Sequence, residues 1–429
     1  MWRQAFLMFL LAFGATAWAQ GPSRKVNETA LPRPVVFVHG FLASGDTWTR
    51  FYSDFVRAGY PPERLYAHDW NTLNQAADHV KALDEAIDSV LARTGARQAD
   101  LIGHSAGGGL AYRYLADSTR AAKVARYVHI GSARQKQPAG PGGRTPTLNL
   151  WSDGDRVTAA GGGDIEGATN RMLPGLDHYQ VATHPNAFRE VYRFLNDSLP
   201  RLRPIASKTS LSIGGRAVFF GDNKPASEGS IELYYTDPRT GQRLSEQPAA
   251  QTQADAQGRW HLENVRPKTP AELVLRASQS ARPVHYFFAG FEQPNPLVYL
   301  RALPTGASMT AMLLAGLPDT SAQSVISIYV SHQAVQAERD TLTIDGLTLS
   351  TLTLAPPEKT AISFFLFDEN GNGRTDGTAL NRFARFPFLN GADAFFSPDD
   401  GAPVEVYFNG QRQRVRKIPS NQGVQVIVF

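Results

Sequence analysis

The sequence predicts an α/β fold built on a mostly parallel sheet, followed by an all-β region of one or two modules. Two observations carry this: apolar runs alternating with helical spacing between Pro32 and Leu199, and short β-rich runs parted by turns after Pro200. The chain has 429 residues, more than the roughly 100–200 of a typical domain. Its apolar fraction of 42% and charged fraction of 19% are those of a folded protein that buries large cores.

The elements follow in order. Pro34-Val35-Val36-Phe37-Val38 is a continuous apolar run ending in His39-Gly40, as in a strand covered on both faces. Ala76, Val80, Leu83, Ile87 and Val90 recur three or four residues apart, one face of an amphipathic helix. Strand-like runs then appear at Ala99 to Ile102, Arg126 to Ile130, Pro146 to Trp151 and Arg171 to Leu173, with a last helix near Pro185 to Asn196. After the break at Leu199 to Pro204, runs at Ser230 to Tyr235, Glu272 to Ala277, Val284 to Phe288 and Ser324 to Val330 read as strands. Asp345-Gly346 and Asn409-Gly410 mark two hairpins. The expected division is 1–19, 20–200, 201–300 and 301–429, with the second seam near Leu297 to Pro304.

Composition excludes several classes. There is no cysteine, hence no disulfide, zinc-thiolate site or thiol nucleophile. A net charge of +4 is too weak to argue for nucleic acid. Met-Trp-Arg, an apolar stretch from Ala5 to Phe13 and the ending Ala17-Trp18-Ala19 read as a cleaved signal peptide, so the protein is expected to be secreted or periplasmic. The stretch is shorter than the roughly 20 residues that span a bilayer, and no other is long and apolar enough for a transmembrane segment.

Gly103-His104-Ser105-Ala106-Gly107 follows a strand and opens a helix, the setting of a G-x-S-x-G nucleophile elbow. A serine hydroxyl needs a base, and the base an orienting acid; in such folds the chain order is serine, acid, histidine. That order leaves His178 and His184. His178 sits in a loop after the last strand and is favoured, whereas His184 precedes Pro185 and suits a helix entry. The acid is Asp155 or Asp153; Asp155 is favoured because a small loop precedes it and Val157 follows, leaving Asp153 as a turn residue. The strand end at His39-Gly40 places the Phe41 N–H beside the elbow, where it joins the Ala106 N–H as an oxyanion hole.

These pieces resemble the α/β-hydrolase lipases, most closely the compact Bacillus-type lipases. The likeness runs from Val35-Val36-Phe37-Val38-His39-Gly40 through the elbow to Ser152–Val157, Ile165–Asn170 and His178. The whole length is similar to an archaeal lipase that joins such a domain to a C-terminal β-barrel for lipid binding. The resemblance implies hydrolysis of carboxylic esters, such as triacylglycerol, through a Ser105 acyl-enzyme with His178 as base and Asp155 as its orienter. It also implies a small-molecule ester or lipid substrate, contact with a lipid–water interface, and a lipid- or substrate-binding role for 301–429. Unlike the archaeal family, this chain has no carboxylate after Ile130-Gly131-Ser132 and no long lid before the helix from Leu73. An extracellular polyester depolymerase fits the same chemistry. A surface- or carbohydrate-binding protein with a vestigial hydrolase domain is a third reading, against which the complete triad counts. No cofactor is required. Asp368, Asn370, Asn372 and Asp376 alternate as in a structural calcium loop, with Gly373 for the turn; Ala379 stands where an EF-hand has its glutamate, and a polar hairpin connection fits as well.

Overall fold

In the computed structural model residues 31–157 and 162–429 are described; the leader 1–19 lies outside them. The first half is a six-stranded, wholly parallel sheet in the order β2-β1-β3-β4-β5-β6, formed by Val35–Val38 (β1), Leu65–His68 (β2), Ala99–His104 (β3), Val124–Ile130 (β4), Thr147–Trp151 (β5) and Thr169–Met172 (β6). Parallel strands need crossovers, and the helices supplying them cover both faces. Thr49–Arg57 (α1) and the helix Pro185–Asn196 pack on one side with Phe51, Phe55, Phe188 and Val191; His79–Thr94 (α2) and Ala106–Leu115 (α3) pack on the other with Leu83, Ile87 and Leu110. Val35, Val36 and Val38 have no exposed surface, and each such burial contributes about 1.5–3 kcal/mol. The fold is that of an α/β hydrolase.

Helix α2 starts at His79, later than the apolar spacing from Ala76 indicates, because the Asp78 carboxylate accepts the Lys81 N–H at 2.9 Å and caps it there. His184 caps the last helix through Nδ1, which accepts the Asn186 N–H at 3.1 Å.

Beyond residue 210 the chain is mostly β. Both turn dipeptides make hairpins, Leu342–Ile344 with Leu347–Thr348 and Val404–Phe408 with Gln411–Val415, and Asp345, Gly346, Asn409 and Gly410 all have the positive φ such turns require. A six-residue helix, Met309–Leu314, interrupts the expected all-β character. The stretch Leu297 to Pro304 runs through the strand Asn295–Ala302, which pairs with Leu211–Phe219. An eight-stranded sheet joins Val284–Phe288 in parallel to Val424–Val428, so residues before and after 300 share one sheet and one core. Arg33 to Phe429 packs as one unit. No helix among the described residues is long and apolar enough to cross a membrane.

Candidate active site

The site begins with backbone geometry. Ser105, between β3 and α3, has φ 54° and ψ −124°, a conformation that costs a non-glycine residue about 1–3 kcal/mol. The Ser105 N–H donates to the Ile130 carbonyl at 3.0 Å, and Ser132 Oγ donates to the Ser105 carbonyl at 2.7 Å, holding the turn. A Cβ on Gly107 would lie 2.4 Å from the Val38 oxygen, and one on Gly103 would lie 2.8 Å from the Gly107 oxygen. Both glycines are therefore required by contact.

His178 and Asp155 are buried and bonded to each other. His178 Nδ1 lies 2.8 Å from Asp155 Oδ2, and the other carboxylate oxygen accepts the Val157 N–H at 2.9 Å. With Nδ1 donating to the carboxylate, the neutral imidazole carries its bare nitrogen at Nε2, the tautomer a general base needs. The histidine loop meets the elbow through its backbone: His104 Nε2 donates to the His178 carbonyl at 2.8 Å, and the two rings are 4.7 Å apart. Burial, and then the neighbouring His178, hold the His104 imidazole well below its ordinary pKa, so it is neutral. Asp153 is exposed and accepts the Gly175 N–H at 2.7 Å, bracing the loops rather than touching an imidazole.

Gly40 stands directly behind the serine, where a Cβ would be 2.9 Å from Ser105 Cβ. Among the described residues neither the Phe41 nor the Ala106 N–H has a protein acceptor, and Ala106 opens helix α3, whose dipole favours negative charge there. His39 fixes this strand end: Nδ1 donates to the Gly40 carbonyl at 2.9 Å, and Nε2 accepts the Trp70 N–H at 3.2 Å. The loop that follows is tied to the β half. Ser44 Oγ donates to Asn223 Oδ1 at 2.6 Å, Asn223 Nδ2 donates to the Ala43 carbonyl at 2.7 Å, and Arg301 Nη2 bonds both Asp46 oxygens at 2.8 Å.

An apolar cavity whose free space, mouth included, is about 1040 Å³ opens beside these residues. Phe41, Leu42 and Tyr179 form part of the wall supplied by the first half; Phe365, Phe388 and Val426 form part of the wall supplied by the β half. Reading the sequence did not find this cavity, because its two walls come from positions hundreds of residues apart.

At the loop of the proposed calcium site, Asp368 accepts the N–H groups of Gly371, Asn372 and Gly373, and the Asn370 and Asn372 amides donate to Asp376 Oδ2. Among the described residues no group of three His, Asp or Glu side chains stands close enough to hold a metal ion. Asp393, which sequence reading did not single out, is 3% exposed; its Oδ2 accepts the Glu369 N–H at 3.0 Å, while its Oδ1 is buried without a partner.

Three family models match separate parts of the chain. The family model for class 2 lipases matches residues 32–125, that for the lipase C-terminal domain matches 209–303, and a further C-terminal-domain model matches 326–426. A non-heme chloroperoxidase of Burkholderia pyrrocinia is 37% identical over 109 residues, 23% of this chain and 37% of that protein. A non-heme haloperoxidase of Rhodococcus erythropolis is 37% identical over 105 residues, again 37% of its length. The chain thus spans little more than a third of these curated relatives. Among solved structures, a lipase of Bacillus licheniformis (16% identity, 38% of this chain and 91% of that one) has a TM-score of 0.30. A carboxylesterase of Bacillus subtilis (14% identity, 40% and 86%) has 0.29.

Proposed function

We propose that this chain, whose residues 32–125 match the class 2 lipase model and 209–303 the lipase C-terminal domain model, hydrolyses carboxylic esters through an acyl-enzyme on Ser105. The observation that carries this is the buried 2.8 Å bond between His178 Nδ1 and Asp155 Oδ2, on a loop bonded to the residue next to Ser105. In this reading His178 Nε2 takes the Ser105 proton as Oγ attacks the ester carbonyl. The Phe41 and Ala106 N–H groups receive the developing oxyanion, each such donor contributing about 2.7–4 kcal/mol. The imidazolium then gives its proton to the leaving alkoxide, and water, activated by the same nitrogen, releases the acid and restores the serine. Asp155 stabilises the imidazolium without taking its proton.

The apolar cavity supports an acyl chain of medium or greater length as the group transferred, as in a triacylglycerol, met at a lipid–water interface. A polyester is the competing substrate. The leader at residues 1–19 supports export. No step requires a cofactor.

Purified protein given p-nitrophenyl esters of graded chain length, beside Ser105→Ala, tests the reading. Wild type should hydrolyse them, with a rate rising toward longer chains, and the variant should be inert. Equal, slow hydrolysis by both would end it. Faster release from a polyester film than from any lipid emulsion would replace the lipid by the polyester.

A further inference from the structure

We propose that Arg339, in the β half, is a positioning residue for the catalytic histidine, acting through the carboxylate of Asp177. The inference rests on the ester-hydrolase reading above and adds to it that the β half completes the catalytic machinery besides shaping the cavity.

Asp177 immediately precedes His178, and its side chain is 1% exposed. Its two oxygens serve different parts of the molecule. Oδ1 accepts the N–H groups of Tyr179 at 2.9 Å and Gln180 at 3.0 Å, which fixes the turn on which His178 rides. Oδ2 accepts the Ala334 N–H at 3.2 Å and Arg339 Nη1 at 2.9 Å, both from the β half. One carboxylate therefore rivets the two segments together. Gln180 closes a second link: its Oε1 accepts the Asp177 N–H at 3.2 Å and Arg339 Nη1 at 3.2 Å.

Arg339 is itself immobilised. Its Nε and Nη2 donate to Asp340 Oδ2 at 3.1 and 2.8 Å, and Nη2 also donates to the Ala334 carbonyl. Asp340 is held in turn by Gln333 at 2.9 Å and Asn409 at 2.8 Å. Around this core, Thr183 Oγ1 donates to the His332 carbonyl at 2.5 Å, Tyr179 packs with Ala334 and Phe388, and the Phe388 ring lies nearly parallel to His178 at 6.4 Å. A guanidinium with its whole fork engaged sets direction as well as distance, which a lysine ammonium cannot do. The imidazole must pass a proton from Ser105 to a leaving group a short distance away, and a misplacement of about 1 Å costs on the order of a hundredfold in rate.

Burial raises the Asp177 carboxyl pKa while its hydrogen bonds and the Arg339 charge oppose that shift. Losing Arg339 thus leaves a buried carboxylate short of its cation beside the catalytic base.

The test compares full-length wild type, Arg339→Met and Arg339→Lys on an acetyl and a dodecanoyl ester, with the downfield proton resonance of the His178–Asp155 bond as a readout independent of turnover. Arg339→Met should lower kcat about a hundredfold on both esters with little change in KM, and should shift or broaden that resonance. Arg339→Lys should recover part of both. A folded Arg339→Met with wild-type kcat would overturn the proposal. So would a loss confined to the long ester, which would assign the segment to the acyl chain alone. If Arg339→Met does not fold, Arg339→Lys decides: a lowered kcat with the resonance moved supports positioning, and wild-type values overturn it. Inactive wild type would instead strike the ester-hydrolase reading, whereas active wild type with unaffected variants strikes only this one.

Discussion

At the scale of single residues the site is a set of constraints that few side chains meet. Ser105 occupies a positive-φ conformation, paid for by the hydrogen bonds that hold its N–H and carbonyl. Gly107→Ala would set a methyl 2.4 Å from one backbone oxygen and 2.5 Å from another, neither able to move without displacing β1. Its expected outcome is loss of soluble protein or of all turnover, read by expression yield and ester assay. Asp155→Asn should keep the melting temperature close to wild type and lower kcat about 10⁴-fold, because the amide imposes the wrong imidazole tautomer. Asp153→Asn should leave turnover within about twofold, since its oxygen only accepts a backbone N–H on the surface. A reversed ranking of these two variants would move the acid to Asp153. The elbow, both candidate acids and both candidate histidines were legible in sequence order. The burial that parts Asp155 from Asp153, and the capping bond that occupies His184, were not, because each depends on what the loop packs against.

At the scale of elements the β half carries its own buried charge. Glu272, on the strand Ala271–Arg276, has no exposed side-chain surface and is bonded by Arg243 at 2.7 and 2.8 Å, Arg416 at 3.0 Å and His285 at 2.7 Å. Burial pushes its pKa up, but the bonds from His285 and Arg243 and the charge of Arg416 outweigh this and leave it well below the usual carboxylate range. A depressed carboxylate stabilises the fold above the unfolded-state pKa of about 4.5, and that contribution fades as pH falls below it. Melting temperature should therefore decline on acidification below about pH 4.5, and Glu272→Gln should flatten that decline. The same substitution should cost about 3–5 kcal/mol near neutrality, because two arginines lose their buried counter-charge. Equal acid sensitivity of variant and wild type would refute this assignment.

The loop from Asp368 to Asp376 yields another prediction at this scale. Asp393 pairs through its backbone with Gly377 and Thr378, at 2.9 and 2.8 Å, close to where Ala379 leaves an EF-hand short of its glutamate. Its Oδ1 is buried without a partner, although among the described residues no three acidic or histidine side chains stand close enough to hold an ion. If the loop binds calcium, EGTA lowers the melting temperature, calcium restores it, and Asp393→Asn abolishes the effect. An unchanged melting temperature would make the loop a polar hairpin connection braced by its own hydrogen bonds.

At the scale of the whole molecule, Arg33 to Phe429 folds as one unit, and the two loops flanking Ser105 are each held from the β half: one through Asn223 and Arg301, the other through Ala334 and Arg339. A chain ending at Pro200 should thus fail on acetyl esters as completely as on long ones, measured on soluble truncated protein. Full activity of that fragment on short esters would reduce the β half to a guide for acyl chains.

The order of residues alone carries the local codes: apolar strands in βαβ order, the elbow glycines, the turn dipeptides, and the order of serine, acid and histidine. These are readable because each is enforced within a few residues by backbone geometry or by the chemistry of proton transfer. Packing at long range set the rest: most of Leu297 to Pro304 lies in a strand, Asn295–Ala302, inside a sheet, an apolar cavity lies between the halves, and Arg339 reaches Asp177 across 162 positions. A contact at that separation leaves no periodicity or spacing along the chain. It exists because burying the face of one half against the other brings the Arg339 guanidinium to the buried Asp177 carboxyl group.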